Sequence, residues 1–251
     1  MVDFVGAGCG APDLITVRGM RLLQAADVII YAGSLVNPEL LYLAEKGCKV
    51  FNSAKMSLDE IIDVIRKAES EGKHTVRLQT GDLSLYGALK EQTERLDELG
   101  IGYRITPGVS SMFGAAAALG AEYTLPGVSQ SVIITRMAGR TEVPDAESIE
   151  KLASHGCTMV IFLSSGMTEE LSGRLINGGF LPETPAAIVY KATWDDEKIM
   201  RCTVGTLHKT ALENGIKKTA LIIAGNVLGS DHELSKLYDR TFETEFRKAE
   251  K

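Results

Sequence analysis

Residues 75 to 87 read Thr-Val-Arg-Leu-Gln-Thr-Gly-Asp-Leu-Ser-Leu-Tyr-Gly, a β-branched strand that runs into Thr80-Gly81-Asp82 and then toward a helix expected from near Leu85. Open α/β sheets bind ligands at the carboxyl ends of their strands, where a Gly-Asp pair offers close backbone approach and one fixed carboxylate acceptor. A carboxylate suits ribose hydroxyls or an amino group, not phosphate. The same pair also suits a strand-to-helix connection with nothing bound.

Two further stretches sit in the same context. Gly6-Ala7-Gly8-Cys9-Gly10-Ala11 satisfies G-x-G-x-x-G/A after a short strand, the form of a dinucleotide fingerprint. The acidic residue that should hold the ribose after the second strand is missing, because that strand runs Val28-Ile29-Ile30-Tyr31 into Ala32-Gly33-Ser34. The alternative is a tight structural turn in which Pro12 and Asp13 start the helix. Pro107-Gly108-Val109-Ser110-Ser111 places two hydroxyls at a helix start, one to cap it and one free for a ligand. No G-x-S-x-G elbow surrounds either serine.

Later in the chain, Arg136 and Arg140 present guanidinium forks suited to carboxylates, near Ser129 and Gln130. Tyr190-Lys191-Ala192-Thr193-Trp194 ends a strand with the only tryptophan, which either lines a cleft or fills the core. Cys9, Cys48, Cys157 and Cys202 form no Cys-x-x-Cys pair, and His74, His155, His208 and His232 form no ligand grouping, so no protein-bound metal is expected.

The elements that must carry these residues alternate along the first half: strand Val2 to Val5, helix Leu14 to Ala26, strand Val28 to Tyr31, and a helix opened by Asn37-Pro38. A helix from Ser57, with its Ser-x-x-Glu capping box, leads to the strand at Thr75, a helix from Leu85 to Leu99, strand Tyr103 to Ile105 and an Ala-rich helix through Leu119. Such alternation predicts a parallel sheet. Beyond Leu125-Pro126-Gly127 follow strand 131 to 135, helix 148 to 153, strand 158 to 163, helix 168 to 177, strands 186 to 190 and 198 to 204, helix 206 to 214 and strand 219 to 224. Adjacent strands at Tyr190 and Lys198 predict a mixed sheet. Residues 240 to 251 read as a solvated helix or a frayed end.

With 251 residues, 45% hydrophobic and 24% charged, the chain can bury one large core or two smaller ones. A net charge of −6 argues against a general nucleic-acid surface. There is no signal-peptide pattern and no apolar run long enough for a bilayer, so the expectation is a cytoplasmic protein away from membranes.

Taken together, Val5-Gly6-Ala7-Gly8, Arg77 to Gly87 and Pro107 to Ser111, in that order, resemble the tetrapyrrole methylases, S-adenosylmethionine-dependent C-methyltransferases acting on uroporphyrinogen and precorrins. Tyr31 to Val36, Leu125 to Gln130, Thr135 to Thr141 and Val189 to Trp194 resemble one precorrin-modifying branch. The resemblance implies an α/β fold of two α/β domains, 1–120 with a mainly parallel sheet and 121–251 with a mixed sheet, a trough between them, and a homodimer. It implies S-adenosyl-L-methionine as co-substrate and a tetrapyrrole as small-molecule partner. By position, Thr80, Gly81, Asp82, Leu85, Tyr86, Ser110 and Ser111 match cofactor contacts, with Leu163, Ala192 and Ala220 from the second half. Gly8, Ser34, Gln130, Arg136 and Arg140 match the substrate side. No catalytic acid or base is implied, and the first loop faces substrate without cradling a pyrophosphate. Two departures stand out: Gly8-Cys9-Gly10-Ala11-Pro12 replaces Gly-Pro-Gly-Asp-Pro, with only size to explain Cys9, and Leu83 replaces a proline, which is expected to loosen the turn. A nicotinamide oxidoreductase built on the first loop and a non-catalytic tetrapyrrole carrier remain open readings of the residues.

Overall fold

Apolar residues that alternate along a strand supply two faces, and in the first half both faces are covered. The computed structural model describes the chain except residues 34, 230–232, 234, 236, 237, 250 and 251. It divides into two compact units, Met1–Ala118 with Lys191–Lys198, and Leu119–Tyr190 with Ile199–Lys251.

In the first unit, strands β1 (Val2–Gly6), β2 (Val28–Tyr31), β3 (Lys49–Asn52), β4 (Thr75–Gln79) and β5 (Tyr103–Thr106) lie in the order β3-β2-β4-β1-β5. Every neighbouring pair is parallel. Helices α1 (Val17–Gln24), α2 (Leu58–Ser70), α3 (Leu89–Glu98) and α4 (Ser111–Leu119) accompany them. Val2, Phe4, Val28 and Ile30 pack with Ile61, Ile65 and Leu96 of α2 and α3. Val5, Ile29, Val76 and Leu78 pack on the opposite face with Leu23 of α1. The alternation of period two is thereby realised on both sides. Chains leaving the adjacent strands β1 and β4 thus lead to helices on opposite faces, the arrangement that opens a crevice at strand ends.

The capping box forms: Ser57 N–H donates to Glu60 Oε2 at 2.7 Å and Glu60 N–H to Ser57 Oγ at 3.3 Å. At the opposite, N-terminal edge of the sheet, buried Asp3 receives Arg104 Nε and Nη2 at 2.9 and 2.8 Å and meets His74 Nε2 at 2.7 Å. This cluster ties β1 to β5 and to the start of β4.

In the second unit, β6 (Val132–Arg136), β7 (Thr158–Phe162), β8 (Pro185–Tyr190), β9 (Lys198–Thr203) and β10 (Ala220–Ala224) lie in the order β6-β7-β10-β8-β9. β6 runs parallel to β7, whereas β10 is antiparallel to both β7 and β8. The mixed sheet is therefore as expected. Helices α5 (Ile149–Ala153), α6 (Thr168–Asn177) and α7 (Leu207–Glu213) belong with it, and Leu171, Leu175 and Leu207 join Met159, Ile161, Ile188 and Ile222 in its core.

Several boundaries differ from the sequence reading. The expected helix start at Leu14 is a short 3-10 turn at Pro12–Leu14, and α1 begins only at Val17, capped by Thr16 Oγ1 accepting from Gly19 N–H at 3.1 Å. Asn37-Pro38 opens a helix as expected, and it is a 3-10 helix, Pro38–Leu43, capped by Asn37. Strand β3 is not evident from the sequence, since its Lys49-Val50-Phe51-Asn52 is short, lies at a sheet edge and has its first two residues exposed. Helix α3 starts at Leu89, four residues later than expected, because Tyr86 and Ala88 are left-handed. From Arg240 to Ala249 there is no helix; local turns lead to an antiparallel bridge between Thr244 and Arg247. No helix among the described residues is long and apolar enough to cross a membrane.

Candidate functional site

Three loops leave the carboxyl ends of the neighbouring strands β4, β1 and β5, and their glycine backbones interlock. Ala7 N–H donates to Gln79 O at 2.7 Å. Gly8 and Gly81 then exchange both backbone bonds, at 3.3 and 3.0 Å. Gly81 has φ of +62°, a conformation natural to glycine. A Cβ on Gly6 would stand 2.6 Å from Gly108 Cα and from Gly81 O, and one on Gly108 only 2.1 Å from Gly81 O. No residue larger than glycine fits at those contacts without moving backbone.

Asp82 completes the interlock. Its Oδ2 accepts from Gly108 N–H at 2.9 Å, while Oδ1 accepts from Ser84 N–H at 2.9 Å and from the Ser84 hydroxyl. Burial pushes the carboxyl upward, but the bonds from Ser84 and Gly108 outweigh it and hold Asp82 below the usual carboxylate range. An ionised carboxylate offers about four acceptor directions, so Asp82 can hold these bonds and still receive a ligand donor. Leu83 does not loosen the turn: it is buried among Phe4, Ile30 and Leu96 and anchors it.

The other predicted cofactor residues of this unit lie close by in the chain. Thr80 and Leu85 are half-buried, and Tyr86 is 45% exposed with φ of 54°. Ser110 is buried and caps α4, its Oγ accepting from Met112 N–H at 3.5 Å and its carbonyl from Phe113 N–H at 3.0 Å. The Ser111 hydroxyl takes no part in that cap.

The first glycine loop is clamped by the segment between β8 and β9. Thr193 Oγ1 accepts from Ala11 N–H at 3.0 Å and donates to Cys9 Sγ at 3.5 Å. Trp194 covers Gly10, where a Cβ would meet Trp194 Cδ1 at 2.3 Å. Cys9 is buried facing Gly114 of α4, so a small, weakly accepting side chain is what the position takes. Trp194 is thus a clamp, and Ala192, buried between left-handed Lys191 and Thr193, is part of it. Neither Thr193 nor Trp194 was singled out for this task by sequence, because no local pattern signals a bond spanning 182 residues. With α1 starting only at Val17, Pro12 and Asp13 do not start it, and the loop lacks the immediate helix N-terminus that a pyrophosphate site needs.

In the second unit, one end of the sheet collects a second group. Ala220 pairs with Tyr190, and Leu163, one residue past β7, continues the register that pairs Ile161 with Ile222, reaching the level of Ala220. Arg136 ends β6 opposite Phe162. Leu163 is 63% exposed at φ of 53°, and Thr219, before Ala220, has φ of 60°. Left-handed non-glycine residues are costly and cluster where backbone shape serves function. The Arg136 guanidinium donates to the carbonyls of Met137 and Thr141 at 3.1 Å each and of Glu142 at 2.7 Å, which shapes the loop bearing exposed Arg140. Gln130 is not brought to this group. It precedes β6 at the other end of the sheet, roughly 20 Å away along an extended strand, with long contacts to Thr124 O and Ser129 O at 3.5 and 3.4 Å. Ser34 lies outside the described residues. Among the described residues, no group of three or more His, Cys, Asp or Glu could hold a metal ion.

Comparison with known proteins agrees with this geometry. Residues 1–208 match the family model of tetrapyrrole (corrin/porphyrin) methylases. The chain is 53% identical over 251 residues, covering 100% of itself and 97% of the relative, to a cobalt-precorrin-4 C(11)-methyltransferase of Methanocaldococcus jannaschii. The solved structure of a cobalamin biosynthetic enzyme, cobalt precorrin-4 methyltransferase, superposes with a TM-score of 0.89 at 47% identity, covering 91% of this chain and 96% of that one. Uroporphyrin-III C-methyltransferase of Thermus thermophilus, solved in complex with S-adenosylhomocysteine, gives a TM-score of 0.76 at 26% identity over 91% and 93% of the two chains. The parallel first sheet and the mixed second sheet match the fold of these solved methyltransferases, and the chain is a methyltransferase that belongs to the tetrapyrrole (corrin/porphyrin) methylase family.

Proposed function

We propose that this protein methylates C11 of cobalt-precorrin-4 with S-adenosyl-L-methionine, a step in building the corrin ring of cobalamin. The carrying observation is the Gly81-Asp82 turn, bonded to the first loop through Gly8 and to the third through Gly108. This builds a rigid floor from all three family motifs. Relatives bearing the same activity over the full chain support the choice of substrate.

Bound at this turn, the co-substrate supplies a sulfonium methyl, an electrophile already activated for in-line displacement. The chain's own task is positioning. Thr80, Gly81, Asp82, Leu85 and Tyr86, with Ser110 and Ser111, hold the cofactor on the first unit, and Leu163, Ala192 and Ala220 complete the set. Arg140, and the guanidinium donors of Arg136 not spent on carbonyls, hold peripheral carboxylates of the macrocycle, and Gly8 faces it. Gln130, at the far end of its sheet, makes a contact separate from theirs. Residues 1–120 serve as the domain bearing the cofactor turn and 121–251 as the domain completing it. Cobalt is carried by the substrate, and the enzyme works as a cytoplasmic homodimer.

Asp82→Ala tests the cofactor site: removing the tie between two loops raises the dissociation constant for S-adenosylhomocysteine at least about tenfold, the cost of charge-assisted hydrogen bonds. Unchanged affinity by calorimetry overturns the assignment. Locating the transferred methyl by NMR in product made from cobalt-precorrin-4, beside metal-free precorrin-4, decides the ring position and the metal state.

A further inference from the structure

Past Asp82 the chain takes a path that few side chains favour. Tyr86 and Ala88 have φ of 54° and 47°. Between them Gly87 has no room for a Cβ, which would stand 2.5 Å from the Leu83 carbonyl oxygen. Two buried amides reach the carbonyls of this bend: Gln79 Nε2 donates to Gly87 O and Gln92 Nε2 to Ala88 O, each at 2.9 Å. Gln92 is fixed in turn by Arg77, whose Nε donates to Gln92 Oε1 at 2.8 Å while Nη1 donates to Ile30 O at 3.1 Å.

These three side chains are 4 to 5% exposed, and their polarity is poorly explained by core stability. Among the described residues no carboxylate pairs with Arg77; burial alone pushes its guanidinium down to about 10, which leaves it a cation at neutral pH. Gln79 Oε1 is buried without a hydrogen-bond partner, so half of that amide works against folding. Apolar residues of the same size would pack there at lower cost. What the polar residues provide is donors aimed at two consecutive carbonyls of one bend.

We propose that Arg77, Gln79 and Gln92 are positioning residues for the cofactor, holding the Tyr86–Ala88 bend, left-handed at Tyr86 and Ala88, that presents Leu85 and Tyr86 beside Asp82. The inference rests on the cofactor site proposed above. Gln79→Met and Gln92→Glu separate it from a merely structural role, because the thioether keeps the length of the side chain with no proton to give, and a carboxylate held ionised beside the Arg77 cation has none either. Gln92→Glu also retains the acceptor for Arg77, so β4 and α3 stay joined.

In both variants the dissociation constant for S-adenosylhomocysteine and the KM for S-adenosylmethionine rise about fivefold to tenfold, the effect of one lost hydrogen bond. The kcat at saturating cofactor and the KM for the tetrapyrrole change less than about twofold over the same comparison. A second pair of variants covers a misfolded Gln79→Met. Ala88 is exposed, so Ala88→Val leaves the core alone but disfavours the left-handed bend, and it binds S-adenosylhomocysteine several-fold more weakly than Ala88→Gly. Equal affinity of the two Ala88 variants, or unchanged affinity in folded Gln92→Glu, overturns the proposal while wild type still binds. Failure of wild type to bind S-adenosylhomocysteine overturns the cofactor reading, and this inference with it.

Discussion

Gly108 carries more of the site than its size suggests, because the Gly81 carbonyl occupies the volume where a side chain would begin. Gly108→Ala places a Cβ 2.1 Å from that oxygen, so one loop must move. The expected result is overpacking that destabilises by about 1–3 kcal/mol and weakens S-adenosylhomocysteine binding, read by calorimetric unfolding and titration. A variant with wild-type melting and affinity would show that the loops are not locked together. The three motifs themselves were legible as ligand loops from Gly, Asp and Ser at strand ends. What they do to one another was not. A hydrogen bond from Gly108 to Asp82 joins two stretches that sequence presents as independent signals. Cys9 likewise acquires its reason only beside Thr193 and Gly114.

At the level of elements, the segment between β8 and β9 does the work of a clamp. Thr193→Val keeps the shape of the side chain but leaves Ala11 N–H without its acceptor. A loss of about 1–3 kcal/mol in urea unfolding is expected, with faster amide exchange at Ala11, and unchanged exchange there would remove the clamp from the account. Long periodic elements were readable: α2 from its capping box and stripe, and the sheet classes from alternating strands and from the strands at Tyr190 and Lys198. Element ends were read less well wherever backbone shape overrode pattern. Helix α3 starts only after the left-handed Ala88, and β3 is recognised only by its pairing with β2. Propensity is local, whereas these outcomes depend on partners distant in the chain.

For the molecule as a whole, acid acts in part through the N-terminal edge of the first sheet. Burial pushes Asp3 upward, but hydrogen bonds from Arg104 and His74 more than offset this and hold its carboxyl below the ordinary 3.8. A depressed folded value means that the stabilisation is present at neutral pH and is lost as pH falls through that range. Urea midpoints of the wild type should therefore drop more steeply between about pH 5 and about pH 3 than those of Asp3→Asn. Parallel curves would assign acid sensitivity elsewhere.

The excursion of Lys191–Lys198 out of the second unit also bears on how such enzymes can be recombined. A chimera that joins the front of this chain to the back of a relative keeps Gly10 and Ala11 but takes whatever residues the relative supplies in place of Thr193 and Trp194 that grip them. Its compatibility is set at that grip, however well each sheet folds, and a cut near residue 120 does not yield two interchangeable modules.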